Sequence, residues 1–241
     1  PADLKKSGGS FDLAIALGIL AASGQIRLGD RRIAAIGELS LDGRVRDVPG
    51  SIPLALPLAD RVDALTLVPQ QLSLPSSTRG SVCRVRSLAV AARIASGGVL
   101  AEDYINANPE FAPDDSIANL EHGVGSVELA EIRGQPMAIR AILIAAIGRL
   151  PLLLEGPPGV GKSMLARALH GVLPDLDEAE HAEVAAIASA GGFVFHGVRR
   201  PPLRMPHHDL TVAGLIGGGP RLSPVELTWA HRGLLLLDEI G

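Results

Sequence analysis

The chain has 241 residues, a length for one or two domains, and 47% of them are hydrophobic, enough to build a core. A net charge of -4 excludes a generally basic nucleic-acid binder and leaves room only for a local basic strip, while 2% aromatic residues argue against a stacking platform for single strands. One cysteine, Cys83, cannot close an internal disulfide, so nothing points to an oxidising compartment.

The amino-terminal stretch has the outline of a secretory signal: Lys5 and Lys6 precede the apolar run Leu13 to Ala22, and Ala21-Ala22-Ser23-Gly24 is small like a cleavage site. Asp12 at the mouth of the run and the lack of an initiator Met favour a buried helix instead. Ile33 to Leu41 reads as a strand, with a turn at Leu41-Asp42-Gly43-Arg44. Leu54 to Asp60 reads as a helix despite Pro57. Ala64 to Val68 and Val82 to Val85 read as short buried strands, and Ser87 as the cap of a helix running to Ala95. Residues 99–126, with Asn106, Asn108, Pro109, Pro113, Asp114, Asp115 and Ser116, read as a linker between a domain over 1–98 and another over 127–241. Beyond it, Glu128 to Ile147 has helical spacing. Leu152 to Leu154 is an apolar strand, Lys162 to Gly171 a helix, and a long irregular segment leads to a second apolar strand, Leu234 to Leu237. No apolar run is long enough to span a bilayer, so no membrane is expected.

The strongest local pattern is Gly156-Pro157-Pro158-Gly159-Val160-Gly161-Lys162-Ser163, which fills every fixed position of a phosphate-binding loop. Its glycines let the backbone curl so that successive N–H groups point inward at phosphate oxygens. The helix that follows, beginning at Lys162-Ser163-Met164, adds its positive end. Lys162 supplies a point charge for the β and γ phosphates, and Ser163 a hydroxyl for Mg²⁺. The run Leu234-Leu235-Leu236-Leu237 delivers Asp238 and Glu239 at the carboxyl end of a strand, where open α/β sheets bind ligands. Asp238 is expected to hold Mg²⁺, and Glu239 to polarise the attacking water. The expected cofactors are therefore ATP and Mg²⁺. Glu155, a carboxylate beside a phosphate site, is expected to point away or to meet an arginine.

Gly156 to Ser163, Arg204-Met205-Pro206-His207-His208, Gly217-Gly218-Gly219 and Ala230-His231-Arg232-Gly233 with Asp238-Glu239 resemble the magnesium-chelatase-like AAA+ ATPases, and most nearly their competence-associated ComM branch. Ile132-Arg133-Gly134-Gln135 resembles the lead-in to that family's AAA+ module. The resemblance implies a P-loop AAA+ α/β domain over 127–241, with an insertion tipped by Gly217 to Gly219 near Arg221 that projects toward a ring's central channel. It departs from the family at Asp209, where Thr is usual. His207 and His208 are adjacent, diverge in direction and lack further ligands at suitable spacing, so a metal site there is not expected.

The amino-terminal half resembles the Lon-protease-like α+β domain of the same branch, through Pro1-Ala2-Asp3-Leu4, Gly8-Gly9, Phe11-Asp12-Leu13 and Gly37 to Gly43. Ser10 falls near the nucleophile position of the true proteases. Their lysine should follow the hairpin, where this chain reads Val48-Pro49-Gly50-Ser51-Ile52-Pro53-Leu54. A serine without a base is a weak nucleophile, so a non-proteolytic scaffold is expected.

The resemblance implies a cytoplasmic, hexameric, ATP-driven motor that acts on DNA. A chelatase-type subunit driving metal insertion in a partner is the alternative, with an ATP-dependent Lon-type protease behind it. The chain opens at Pro1 and stops at Gly241 directly after the acidic pair, so both domains are expected to be cut, with the arginine finger, sensors and lid beyond Gly241 and the piece alone inactive.

Overall fold

The computed structural model describes residues 9–29, 32–61, 63–72, 74, 81–97, 127–193, 199–207, 209–218 and 223–238. The chain divides into two compact units, one of residues 1–113 with 185–197, the other of 114–184 with 198–241. The fold class is α/β, with parallel strand pairing and helices in each unit.

The first unit opens with a short 3₁₀ turn at Gly9–Phe11 that feeds helix α1, Asp12–Ala22. Strand β1, Arg32–Ala35, is followed by a hairpin of β2, Glu38–Leu39, and β3, Val45–Arg46. The single strand expected over Ile33 to Leu41 is thus two strands. The break falls at Gly37, whose φ of +145° ends the ladder and whose missing side chain leaves room for Val45, which would lie 2.6 Å from a Cβ there. The Asp-Gly turn forms as expected, with Gly43 at φ +79°.

Helix α2, Ser51–Ala59, carries Pro57 inside it and starts earlier than the expected Leu54. Strand β4, Ala64–Pro69, is buried at all six positions because it runs between β1 and β5, Ser81–Val85, in a parallel sheet of order β1-β4-β5. Helix α3, Leu88–Ala95, is capped by Ser87, whose hydroxyl accepts from the Val90 N–H. Leu13 and Leu17 of α1, Leu67 of β4, Cys83 and Val85 of β5, and Ala91 and Ile94 of α3 form one core. The residues of the expected linker, 99–126, lie outside those described, as do Lys5 and Lys6.

The second unit starts with a 3₁₀ turn at Leu129–Glu131. The helical stretch expected from Glu128 is interrupted at Ile132–Gly134, where Gly134 takes φ +75°, and helix α4 runs over Pro136–Gly148 with proline at its first turn. Helix α5, Lys162–Gly171, has the expected bounds. Ile142, Ala145 and Ala146 of α4 pack on Leu165, Ala168 and Leu169 of α5, with Leu152, Leu154 and Leu234 around them. Burial of each large aliphatic side chain here contributes about 1.5–3 kcal/mol, which makes this cluster the anchor of the loop between the two helices.

Leu152 and Leu154 turn inward with a strand's alternation, yet the segment finds no ladder partner among the described residues and is not a strand. The segment expected to be irregular after α5 contains helix α6, Glu178–Ala190. Strand β6, Leu203–Arg204, pairs in parallel with β7, Leu234–Leu235, the paired part of the expected Leu234 to Leu237. Short helices α7, Val212–Ile216, and α8, Glu226–Trp229, lie between them in sequence. Among the described residues no helix is long and apolar enough to cross a membrane.

Candidate nucleotide site

The loop between Leu154 and α5 is set by its glycines. Gly159 and Gly161 sit at φ +83° and +88°, a region that side chains avoid, and a Cβ on Gly159 would meet nothing within 4 Å. The backbone therefore curls around open space, and α5 begins immediately after Gly161, with its unpaired N–H groups at the mouth. Lys162 folds back across this mouth, where its ammonium donates to the carbonyl oxygens of Gly156 at 2.8 Å and Pro157 at 3.1 Å. Pro157, Pro158, Val160 and Met164 are exposed along the rim, as is Glu155, which turns to solvent.

Seventy-five residues further on, β7 brings Asp238 to this loop: the Ser163 hydroxyl donates to Asp238 Oδ2 at 3.4 Å. Beyond its paired residues the strand is steered by one more bond, from the Leu236 N–H to the Arg204 carbonyl at 2.9 Å. The residues present fit a nucleoside triphosphate with a divalent cation. A curled backbone and a helix start offer N–H donors, a primary ammonium lies at the mouth, and a hydroxyl and a carboxylate sit as neighbouring oxygen ligands. Glu239 lies outside the described residues.

Two supports of this site have no local pattern in the sequence. Gln135, just ahead of α4, donates its side-chain amide to the Val160 carbonyl at 2.8 Å and so ties down the tip of the loop. At the base of β7, Glu183 of α6 accepts from Arg232 Nε at 2.7 Å and Nη2 at 3.1 Å, and lies 2.7 Å from His231 Nε2. The Arg232 guanidinium, then His231, hold the Glu183 carboxyl far below its usual range, down to about 2. One turn earlier on α6, Glu180 pairs with Arg149, the residue that ends α4. Arg149 and Arg232 are the described non-glycine residues at positive φ, 48° and 60°, and both point a guanidinium at α6. The Ala230-His231-Arg232-Gly233 pattern is thus a turn locked to α6, and its sequence separation from Glu183, 48 and 49 residues, hid the contact.

Other singled-out residues take different places. Arg204 is buried and forms a forked pair with Glu226 of α8, at 2.8 and 2.6 Å. His207 sits 3.3 Å from Asp209, the departure from the family pattern, while His208 lies outside the described residues. Among the described residues no three potential ligands gather for a metal ion. Gly217 ends α7 at φ +90°, followed by Gly218 at +114°, with Gly219 outside the described residues. In the first unit, Ser10 lies in the 3₁₀ turn before α1, and its carbonyl accepts from the Gly37 N–H at 2.9 Å.

Comparison with known proteins places these features. Residues 128–241 match the family model described as magnesium chelatase, subunit ChlI, and residues 1–72 match that of subunit ChlI of Mg-chelatase. The chain is 35% identical to the competence protein ComM of Haemophilus influenzae, over all of this chain and 47% of that protein. It is likewise 35% identical to YifB of Escherichia coli, over all of this chain and 46% of that one. A putative lon protease homolog of Thermoplasma volcanium is 44% identical over 66 residues, 27% of this chain and 12% of that protein. The chain spans about half the length of the ComM and YifB proteins it matches. The protein is a member of the AAA+-type ATPase family. Within that class the chain belongs to the ComM-like magnesium-chelatase family.

Proposed function

We propose that this protein binds and hydrolyses ATP with Mg²⁺ and uses the energy to move DNA. The observation that carries the nucleotide half of the reading is the meeting of the Gly156–Ser163 loop with Asp238, made by the Ser163–Asp238 contact. The Gly156–Met164 backbone receives the phosphates on its N–H groups. Lys162 exchanges its two carbonyl partners for the β and γ phosphate oxygens, a stronger, charge-assisted contact. Ser163 and Asp238 hold the cation, directly or through water. Mg²⁺ held by these residues would supply positive charge against the phosphate oxygens. Glu239 orients the attacking water.

The DNA half rests on the likeness to ComM, a protein named for competence. In this reading the first unit is a Lon-like domain that serves as a non-proteolytic scaffold, the second is the AAA+ module, and copies of the protein assemble into a hexameric ring in the cytoplasm. The matched family models, both described by magnesium chelatase, favour a second reading, a subunit that drives metal insertion by a partner protein. ATP hydrolysis by the full-length protein, measured with and without single-stranded and duplex DNA, separates the two. DNA should stimulate turnover; turnover indifferent to DNA would sink the DNA reading and leave the second.

A further inference from the structure

An open cleft of about 520 Å³ lies in the first unit, lined by Arg44, Val45, Arg46, Gln70, Gln71, Arg86 and Ser87. Three backbone ties build it. The Val45 N–H donates to the Arg86 carbonyl, the Gln70 N–H to the Val85 carbonyl, and the Leu88 N–H to the Gly43 carbonyl, so the β3 arm is zipped beside the chain leaving β5. Arg44, just before β3, and Arg46 within it are two apart and project to the same side, while Val45 between them turns into the core. Gln70 and Gln71 leave the carboxyl end of β4, and Arg86 and Ser87 leave that of β5. This is the edge of a parallel sheet where ligands bind, and α3 begins there with its N-terminal N–H groups.

Among the described residues the charge is only partly compensated. Arg44 meets Asp42, at 3.2 Å on an exposed surface, and the Asp47 carboxylate is engaged by the Val48 N–H and Ser51. Glu38 stands opposite Arg46 in the hairpin register without forming an ion pair. Among the described residues Arg46 and Arg86 have no carboxylate partner. In a chain of net charge -4, guanidinium groups gathered around one cleft are a local exception.

We propose that this cleft binds the phosphate backbone of a nucleic acid strand. A small-molecule site encloses its ligand and shields it from water. Here the arginines and glutamines are exposed to solvent along the cleft, which suits a strand passing through. Among the described residues no aromatic side chain lines it, so bases are not stacked and sequence is not read there. The assignment deepens the reading of the protein as a DNA motor, and rests on it, by giving the first unit its own contact with the strand.

The test is binding of a fluorescein-labelled single-stranded oligonucleotide and its duplex to the full-length protein across a salt series. Arg46→Glu/Arg86→Glu should weaken binding of every sequence alike. Arg46→Ala/Arg86→Ala should lower the slope of log affinity against log salt by about 1.4 for single strands, at about 0.7 per phosphate contact. Arg46→Lys/Arg86→Lys should keep the wild-type slope, which a purely structural role would not predict. ATP hydrolysis without DNA should be unchanged in all three. Wild-type protein that binds no oligonucleotide would overturn the motor reading and this one together. Wild-type binding matched by the Glu variant would overturn the cleft alone. Displacement of the oligonucleotide by poly-glutamate or by tripolyphosphate at equal charge would reassign the cleft to acidic peptides or to small anions.

Discussion

At the scale of single residues, the candidate nucleotide site is a set of groups that satisfy one another. Lys162 is held by two carbonyl oxygens of its own loop, contacts that an ammonium gives up readily for a polyphosphate. Lys162→Ala should therefore abolish ATP binding without unfolding the protein, because the lost contacts lie at the surface. Calorimetric titration checks this, and unchanged affinity would remove the loop from the site. Asp238 is a different case. Its carboxylate lies 3.4 Å from the Ser163 hydroxyl, and the amide in Asp238→Asn keeps the shape while losing the charge that attracts a cation. Hydrolysis by Asp238→Asn should need roughly tenfold or more Mg²⁺ to reach half its maximal rate, with ATP binding in EDTA little changed. Both residues were legible in the sequence because the pattern that names them is contiguous or ends a strand. Gln135 was legible only as part of a family resemblance; its bond to Val160 spans 25 positions and has no spacing rule.

At the scale of elements, β6 and β7 approach each other with no room to spare. A Cβ on Gly233 would lie 2.0 Å from the Pro202 carbonyl oxygen, the group that accepts from the Leu234 N–H at 2.9 Å. Backbone would have to move, so Gly233→Ala should cost about 1–3 kcal/mol and blunt turnover by shifting the strand that carries Asp238. Thermal melting and ATP hydrolysis measured together check this; an unshifted melting temperature would show that the strands can part freely. The α6 contact adds a pH dependence. Glu183 falls from its usual 4.5 to about 2 on folding, so its contribution is complete above pH 4.5 and is lost as pH falls toward 2. Glu183→Gln should flatten stability against pH inside that window, and added salt should shrink the difference because the group is exposed. The same region shows why the sequence misled. Helix α6 is rich in alanine, EAEHAEVAAIASA, so apolar periodicity barely marks it. Its start was nonetheless written in Asp177-x-x-Glu180, a capping box in which Glu180 N–H donates to Asp177 and Asp177 N–H to Glu180. Leu152 to Leu154 erred the other way: the apolar run was read as a strand, but a strand also needs a ladder partner, and partners are set by tertiary structure.

At the scale of the whole molecule, the question is whether the chain carries one chemistry or two. Ser10 invites a second, a peptidase in the first unit. Its turn is well built: the Ser10 carbonyl accepts from Gly37, and Gly9 is packed so closely that a Cβ would lie 2.6 Å from Glu38 Cγ. A nucleophile needs a base, however, and lysine is scarce. The chain has three, Lys5, Lys6 and Lys162. Lys162 belongs to the phosphate loop, where carbonyl oxygens engage it. Lys5 and Lys6 are only five and four positions before Ser10, whereas the protease pattern places its lysine after the hairpin, in the stretch that here forms the start of α2 with Ser51, Ile52 and Pro53. Without a lysine there, the hydroxyl stays protonated and a poor attacking group at neutral pH. The full-length protein should therefore leave casein uncleaved with or without ATP, and a fluorophosphonate probe should not label Ser10. Labelling at Ser10 that disappears in Lys6→Ala would show that the base comes from the amino-terminal side. It would make the chain a bifunctional enzyme with its proteolytic centre before α1.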